Sequence, residues 1–324
     1  MPATFRPYAP HSDWARIRDF LVDTFALYQR PFNWMIDRWN FCRHFVLPLH
    51  TFCNVRDFGV PTRTAPPVRD ELPGWERTIG VWENAAGEIV GVAHSENEEP
   101  GEAWIEIHPD YTDLCDEMVT YAEAHLADRA DGVAFVRLYV NAGSALEQVA
   151  QARGYRQLQG QGMNHLEHRI GDVPVSPLPA GYVIRSVTDE DDVEQRRMVR
   201  AFSFGGYCPP SDWPPASAMR ALQQAPDYRP ELDLFVVAPN GEYASFCTIW
   251  LDERNRYANF EPVGTHADYQ RLGLGRALLT EGFRRMARYG ATRSFMDSGN
   301  PFYRKVGFQP TPWTYYPWIK YFPA

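Results

Sequence analysis

Two glycines stand in the stretch Gln270-Arg271-Leu272-Gly273-Leu274-Gly275-Arg276, which decides the fold of its part of the chain. Glycines at a helix N-terminus let backbone N–H groups turn towards a ligand, and the helix dipole adds positive potential there. Arg271 and Arg276 bring positive charge to the same turn. The apolar residues that follow keep helical spacing, at Leu274, Leu278, Leu279, Phe283 and Met286. The stretch is therefore predicted to open an amphipathic helix and to bind a diphosphate.

A second motif lies downstream, where the chain reads Asn300-Pro301-Phe302-Tyr303-Arg304-Lys305-Val306-Gly307-Phe308. The two stretches resemble the Q/R-x-x-G-x-G/A signature and the N...Y-x-x-x-G-F/Y element of the GCN5-related N-acetyltransferases (GNATs), with a shorter step from asparagine to tyrosine. The resemblance implies acetyl-CoA as co-substrate and direct transfer of its acetyl group to an amine. In that family the tyrosine approaches the sulfur, so Tyr303 would protonate the leaving CoA thiolate; packing of its ring against the sheet is the alternative. The implied cofactor contacts are Gln270, Arg271, Leu272, Gly273, Leu274, Gly275, Arg276 and Asn300.

The strand before the glycines is predicted to present Asn259, Glu261, Val263 and Thr265 on one face, because side chains alternate along a strand. An amine must lose a proton before it attacks a thioester, so Glu261 is the candidate general base. Several GNATs carry the base on this strand; an ordinary hydrogen bond or ion pair of Glu261 is the alternative. The family splays its fourth and fifth strands and lets pantetheine pair with the fourth. On that resemblance, the Val263 N–H polarises the thioester carbonyl and Thr265 adds a cofactor contact.

The first half of the chain repeats the pattern of the second. Ile107-His108-Pro109-Asp110-Tyr111 echoes Thr265-His266-Ala267-Asp268-Tyr269, and each run leaves a strand and opens a helix. Turn glycines at Gly87 and Gly241 predict a hairpin in each half. The order β-α-α-β-β-β-α-β-α-β recurs. We therefore predict an α/β (α+β) protein of two tandem GNAT-like domains, each a mixed, mostly antiparallel twisted sheet flanked by helices.

Prolines and matched positions place the domain boundary. The run from Gly171 to Pro179 has the composition of a linker, since its prolines break regular structure. The predicted domains are residues 1–172 and 181–324, with 173–180 as linker. The first half is longer before its hairpin, and the Pro-rich run at residues 60–73 is the predicted insertion.

The N-terminal half is predicted to have lost its cofactor site. The echo places Thr112-Asp113-Leu114-Cys115-Asp116-Glu117 where the other half has its glycine loop, so both glycines are replaced and three acidic residues would repel a diphosphate. Matching Gly154 with Gly307 puts Ala150 opposite Tyr303. One working acetyl-CoA site per chain is expected, in residues 181–324.

Aromatic residues suggest where an acceptor binds. Phe204, Tyr207 and Trp213 lie in Gly- and Pro-broken sequence of the kind that carries acceptor specificity in the family, and aromatic walls suit a cationic or amphipathic amine. The aromatic-rich residues 28–43 are either core or interface, or the wall of a groove shared by both halves. Residues 313–319 are predicted to form a last strand at a domain or subunit interface.

Composition excludes several classes of function. A net charge of -9 argues against a nucleic-acid coat, and no apolar run is long enough for a membrane helix. Five widely spaced cysteines fit a reducing cytoplasm, and His165 and His168 lack further spaced ligands, so no metal is expected. The prediction is an N-acetyltransferase that acts on a small-molecule or peptide amine, with a homodimer left open. The alternative is a non-catalytic acyl-CoA-binding sensor or scaffold.

Overall fold

The computed structural model of the chain describes residues 2–46, 74–96, 99–171, 174, 176–204 and 207–322. The insertion predicted at residues 60–73 lies outside the described residues. Within the part that is described, no helix combines the length and apolar character needed to cross a bilayer.

The helices and strands of the second half follow the predicted order, and the described residues of the first half follow it with one short helix and two short strands added. The first half contains β1 (Ala3–Pro7), α1 (Asp13–Tyr28), α2 (Ile36–Phe41), α3 (Gly74–Arg77), β2 (Gly80–Asn84), β3 (Ile89–His94), β4 (Glu102–Ile107), α4 (Cys115–His125), β5 (Asp128–Ala130), β6 (Val133–Asn141), α5 (Ala145–Ala152), β7 (Arg156–Gln157) and β8 (Met163–Arg169). The second contains β9 (Val183–Ser186), α6 (Val193–Phe204), α7 (Ala216–Leu222), β10 (Asp233–Val237), β11 (Tyr243–Asp252), β12 (Tyr257–Thr265), α8 (Leu274–Arg288), β13 (Arg293–Asp297), α9 (Pro301–Val306) and β14 (Gln309–Phe322). The predicted hairpins are present as β2–β3 and β10–β11.

The echo between the halves extends to hydrogen bonds. His108 and His266 each cap a short 3-10 helix that leads into α4 or α8, and each ring Nδ1 accepts from the N–H of an aspartate two residues on, at 3.2 Å and 3.1 Å. In each half, the fourth strand is therefore followed by a histidine that makes the same capping hydrogen bond. The repeat predicted from the sequence is a structural repeat.

The strands form a continuous sheet in the order β1-β2-β3-β4-β6-β14-β8-β13-β12-β11-β10-β9. Neighbouring strands are antiparallel except for β4–β6 and β12–β13. The last strand of each half has changed sides: β14 pairs with β6 of the first half, and β8 pairs with β13 of the second. We call this arrangement the strand exchange. The predicted fold class is confirmed, and the predicted last strand over residues 313–319 is part of β14.

The parallel strands separate soon after they meet. β12 and β13 are in register only at Tyr257 and Arg293, and β4 and β6 only at two adjacent positions, Glu102–Arg137 and Ala103–Leu138. Beyond those points each pair of strands diverges towards the loop that opens α8 or α4. The predicted splay is thus present in both halves.

The two halves pack through the aromatic-rich residues 28–43. Phe41 belongs to a buried cluster with residues of α7 and with Trp250, while Phe25 and Met35 pack against Tyr257 and Phe295. Hydrogen bonds cross the same interface, as from Asn40 Nδ2 to Asp227 Oδ2 at 2.8 Å. Helix α2 is therefore held against the second half by burial and by polar contacts.

Candidate functional site

The glycine loop forms an open turn at the start of α8. Gly273 is its N-cap with φ of 82°, and Arg271 also has a positive φ, of 64°. A left-handed backbone is strained for side-chain-bearing residues, and a Cβ at Gly273 would meet nothing within 4 Å, so the glycine is required by conformation and faces open space. Among the described residues, no acceptor receives the N–H groups of residues 271–276, although Ala277 N donates to Gly273 O. The turn presents a run of unpaired donors, which is the arrangement that binds anions.

Strand β12 runs from the splay to this loop. It pairs with β11 through Cys247 and Val263, while its other edge has left β13. Thr265 ends the strand: its Oγ1 lies 2.9 Å from Ser245 Oγ, and its carbonyl accepts from Gln270 Nε2 at 3.4 Å. Across the gap, a Cβ added at Gly275 would lie 3.3 Å from Phe302 and 3.4 Å from the Thr265 hydroxyl. The missing side chain at Gly275 therefore keeps the end of the splay open.

A cavity of about 330 Å³ occupies the splay and continues to the first half of the chain. The second half lines it with residues 259–263 of β12, residues 295–298 of β13 and its extension, Phe204, Tyr303 and Tyr315. The first half lines it with Met35, Asp37, Arg38, Phe41 and Glu96. Both halves thus contribute side chains to one cavity.

Glu261 and Tyr303, the two residues predicted to be catalytic, both line this cavity. The Glu261 carboxylate forms no hydrogen bond or ion pair with the described residues, while its backbone carbonyl accepts from Trp250 Nε1 at 2.7 Å. Burial raises the pKa of Glu261 to about 8; the charge of Asp37 acts in the same direction, and the Arg200 guanidinium opposes it. Burial and the Glu261 charge raise the pKa of Tyr303 well above its usual value, so its hydroxyl stays protonated. The cavity thus holds a protonated hydroxyl beside a carboxyl that ionises near neutral pH.

Asp37 and Arg38 bring charge from α2 into the same space. Asp37 Oδ1 accepts a hydrogen bond from Asn259 Nδ2 at 3.0 Å, and Asn259 Oδ1 in turn accepts from the Phe295 N–H at 3.0 Å. Arg38 binds Glu96 with two donors, one of them Nε at 3.0 Å from Oε1. The guanidinium lies 4.4 Å and 4.3 Å from the rings of Trp34 and Trp104. These contacts hold both charged side chains in place.

The residues predicted to bind the acceptor are only partly brought together. Phe204 lines the cavity. Tyr207 and Trp213 pack instead around Phe202, with ring centroids 5.0 Å and 5.7 Å from it, and do not line the cavity. Asn300 caps α9 by accepting from the Phe302 N–H at 2.9 Å, a structural role that fixes the helix carrying Tyr303.

The corresponding region of the first half is closed by its own residues. Asn33 occupies the end of β4: its Nδ2 donates to Ile107 O at 3.1 Å and its Oδ1 accepts from Ile107 N at 3.0 Å. Ile107 is the counterpart of Thr265 in the sequence echo. The first turn of α4 is also engaged, since Asp116 binds Arg153 at 2.7 Å and Glu117 accepts from Trp82 Nε1 at 2.8 Å. A side-chain amide thus fills the strand edge on which a pantetheine amide would pair.

We expect Asn33→Ala to lower the free energy of unfolding by about 1–3 kcal/mol, because the Ile107 N–H would stay buried without its acceptor, while the Ile107 carbonyl would keep the Tyr28 hydroxyl at 3.1 Å. Asn33 is 8% exposed, so water cannot simply replace the amide. Chemical denaturation of the two proteins measures the difference. Asn164→Ala is the matched control, since Asn164 is exposed and its amide oxygen accepts only from the Thr314 hydroxyl. Equal losses in both variants would contradict this role of Asn33.

Several residues that line the cavity have no individual role predicted from the sequence. Asp37 and Arg38 lie in the aromatic-rich residues 28–43, which are predicted as core or interface or as the wall of a shared groove, and Tyr315 lies in the predicted last strand. Glu96 and Asp297 carry no prediction. A charged pair inside such a stretch is the signal that was available, because Asp and Arg are rarely buried without a reason. Tyr315 carried no such signal, since its position depends on the strand exchange.

The histidines have structural partners. His165 Nδ1 is hydrogen-bonded to Asp297, and the ring of His168 stacks on Phe283 at 4.0 Å. Within the described ranges, no group of His, Cys, Asp and Glu side chains is arranged to hold a metal ion.

Comparisons with known proteins point to one family. Residues 230–310 match the family model described as the acetyltransferase (GNAT) domain. No curated protein matches the chain.

Solved structures resemble the whole chain. A GCN5-related N-acetyltransferase from Sphaerobacter thermophilus superposes with a TM-score of 0.58 at 18% identity, covering 98% of this chain and 95% of that one. A tandem GNAT protein from the clavulanic acid biosynthesis pathway gives 0.58 at 15% identity, with full coverage of both chains. The glucosamine N-acetyltransferase region of a fungal multi-domain β-N-acetylglucosaminidase gives 0.54 at 14%, covering 99% of this chain and 38% of that one. These superpositions show a common fold, and the family match lies on the segment that carries the glycine loop. The chain therefore has a tandem fold like that of these N-acetyltransferases, and its residues 230–310 match the GNAT domain.

Proposed function

We propose that the protein transfers an acetyl group from acetyl-CoA to a small-molecule or peptide amine, at one site in the C-terminal half. The observation that carries the proposal is the cavity in the splay, which is lined by Glu261, on the strand that leads to the glycine loop, and by Tyr303 of α9. The family match on residues 230–310 supports it. A reaction of this class needs a base, an acid and an anion site, and these residues supply all three.

The residues present fit acetyl-CoA. The free N–H groups of residues 271–276, with Arg271 and Arg276, would hold its diphosphate at the N-terminus of α8. The unpaired edge of β12 at Val263 and Thr265 would pair with the pantetheine arm between the splayed strands. When bound, the cofactor supplies a thioester whose carbonyl carbon accepts the nucleophile.

The chemistry follows from the groups at the cavity. The amine nitrogen attacks the thioester carbonyl carbon, a C–N bond forms, and the C–S bond breaks with its electron pair leaving on sulfur. Glu261 takes the proton that the amine loses, directly or after the attack, and Tyr303 donates its hydroxyl proton to the CoA thiolate. The Val263 N–H is the donor we propose for the carbonyl oxygen as negative charge develops on it.

We infer that the N-terminal domain, residues 1–172, binds no acetyl-CoA and instead shapes the acceptor side of the cavity. Asn33 on the edge of β4 and the acidic first turn of α4, whose carboxylates are bonded within the first half, support this inference. The second domain, residues 181–324, then carries the working site. One molecule of acetyl-CoA per chain is the corresponding stoichiometry.

Glu261 should impose a pH dependence on the reaction. The residue accepts a proton only as carboxylate, and with a pKa of about 8 the carboxylate fraction falls as the pH drops below that value. We expect the ratio of kcat/KM for wild type to that for Glu261→Gln to rise about tenfold per pH unit up to pH 8 and then to level off at about 100. Taking the ratio removes the ionisation of the amine itself. Glu88→Gln, at an exposed turn, is the control and should leave the profile unchanged. A ratio that stays flat from pH 6 to 9.5 would exclude Glu261 as the base.

A non-catalytic acyl-CoA sensor is the alternative function. A sensor would need the glycine loop and the splay to bind acyl-CoA. It would not need a general base and a general acid next to the thioester. The unpartnered Glu261 carboxylate, held with a raised pKa next to Tyr303, favours the enzyme over the sensor.

A further inference from the structure

The cavity carries an excess of acidic side chains from both halves. Asp37 and Glu96 come from the first half, Glu261 and Asp297 from the second, and Arg38 is the single basic residue among the described residues of the lining. Arg38 is bound to Glu96 by two hydrogen bonds, so these two charges offset each other. Glu261 serves the proposed proton transfer. Asp37 and Asp297 have no further basic partner among the described lining residues, although Asp297 is hydrogen-bonded to His165, which lies outside that lining.

The Asp37 carboxylate is buried and fixed by a hydrogen bond. It is 6% exposed, and Asn259 is its hydrogen-bond partner among the other described residues, at 3.0 Å. Asp297 ends β13 and is hydrogen-bonded to His165, which lies on the exchanged strand β8. Burial raises the pKa of Asp37 to about 6, and the charge of Asp297 contributes in the same direction. Asp37 is therefore ionised at pH 7 to 8, facing a second negative group.

Apolar surface lies between these charges. Met35, Phe41, Phe204, Phe295 and the ring of Tyr315 line the same cavity. An aliphatic chain would be buried on such walls, and an ammonium group is attracted to aromatic faces. A neutral or anionic acceptor would leave the acidic excess of this partly dry lining uncompensated, which is unfavourable.

We infer that the acceptor carries a second cationic group, held by Asp37 and Asp297 while its reacting amine faces Glu261. The acceptor class is then an aliphatic diamine or polyamine, whose methylene chain lies on the apolar walls and whose distal ammonium lies between the two aspartates. This inference rests on the proposed acetyl transfer for the identity of the reacting end. The first half of the chain supplies one of the two carboxylates, which gives the N-terminal domain a direct part in acceptor selection.

Binding of amines to the full-length protein tests the inference without requiring turnover. Calorimetry compares α,ω-diamines of three to six carbons with the n-alkylamines of the same length, in the presence of CoA. We expect the best diamine to bind about tenfold to 100-fold more tightly than its matched monoamine, because a charged hydrogen bond in a partly buried site is worth that factor. Asp37→Asn and Asp297→Asn should each reduce the preference to within about twofold. Asp110→Asn, at an exposed position outside the cavity, should leave it unchanged.

Each result bears on one of the two proposals. Equal affinity of wild type for diamines and monoamines, or a preference that survives in both aspartate variants, would overturn the second-cation site. The thermal unfolding of each variant is recorded alongside, and the conclusion is drawn from whichever aspartate variant keeps the wild-type melting temperature within a few degrees. Thiol release from acetyl-CoA is followed in the same mixtures. Carboxylate-dependent diamine binding without thiol release would uphold the site and reject the acetyl transfer.

Discussion

Replacing Tyr303 by phenylalanine should lower the rate of acetyl transfer about 100-fold or more while acetyl-CoA affinity stays unchanged. The Tyr303 hydroxyl has no hydrogen-bond partner among the described residues and is kept protonated by burial and by the charge of Glu261. A general acid of this kind contributes about 10²- to 10⁴-fold to a proton-transfer step. Single-turnover measurements of thiol release give the rate of the chemical step even if product release limits kcat.

Tyr289→Phe is the matched control for this variant. Tyr289 lies just beyond α8, and its hydroxyl donates to Glu231 Oε1 at 2.6 Å. It has no part in the proposed proton transfer. The Tyr289→Phe variant should have a slightly lower free energy of unfolding and nearly the wild-type single-turnover rate. A Tyr303→Phe enzyme that keeps its single-turnover rate within threefold would remove Tyr303 from the mechanism. A wild-type protein that binds acetyl-CoA but releases no thiol with any amine would instead support the sensor.

Gly273→Val should weaken acetyl-CoA binding about 100-fold, which corresponds to about 2.8 kcal/mol. Gly273 has a φ of 82°, and its Cβ position faces the open space in front of the loop. A valine would strain the turn and place methyl groups where the diphosphate is expected, so charged hydrogen bonds to backbone N–H groups would be lost. At 100 times the wild-type Kd, acetyl-CoA should stabilise wild type by about 2.7 kcal/mol and the variant by only about 0.4 kcal/mol.

Gly290→Val is the matched control, because it introduces similar backbone strain away from the glycine loop. Gly290 also has a positive φ, of 79°, with open space at its Cβ position, and it lies past the other end of α8. Both variants should lose similar stability without ligand, whereas only Gly273→Val should lose the stabilisation by acetyl-CoA. Equal affinity for acetyl-CoA in the two variants would show that the loop does not hold the diphosphate.

Local patterns predicted the parts of the site that are built locally. The glycines at 273 and 275 and the helical spacing after them are close in sequence, so the loop and α8 follow from backbone conformation and periodicity. The same holds for Tyr303, which a short helix with a capping asparagine presents to the cavity. The repeat could be predicted because both halves have a similar His-x-Asp-Tyr sequence after the fourth strand.

Long-range packing decides the rest. Asp37 reaches the cavity only because α2 of one half packs on β12 of the other, and no periodicity within α2 contains that information. The side of α6 on which Tyr207 and Trp213 lie is set by their packing on Phe202, so their aromatic character alone did not place them. Which sheet a final strand joins is similarly open, because the edges of β6 and β13 offer the same backbone donors and acceptors.

The crossing of β8 and β14 ties the two domains into a single folding unit. Cleavage in the segment between residues 171 and 181 would yield two fragments, each lacking the strand that covers one of its sheet edges, and neither fragment could complete its own fold without the other. Each half therefore depends on the other for one strand of its sheet.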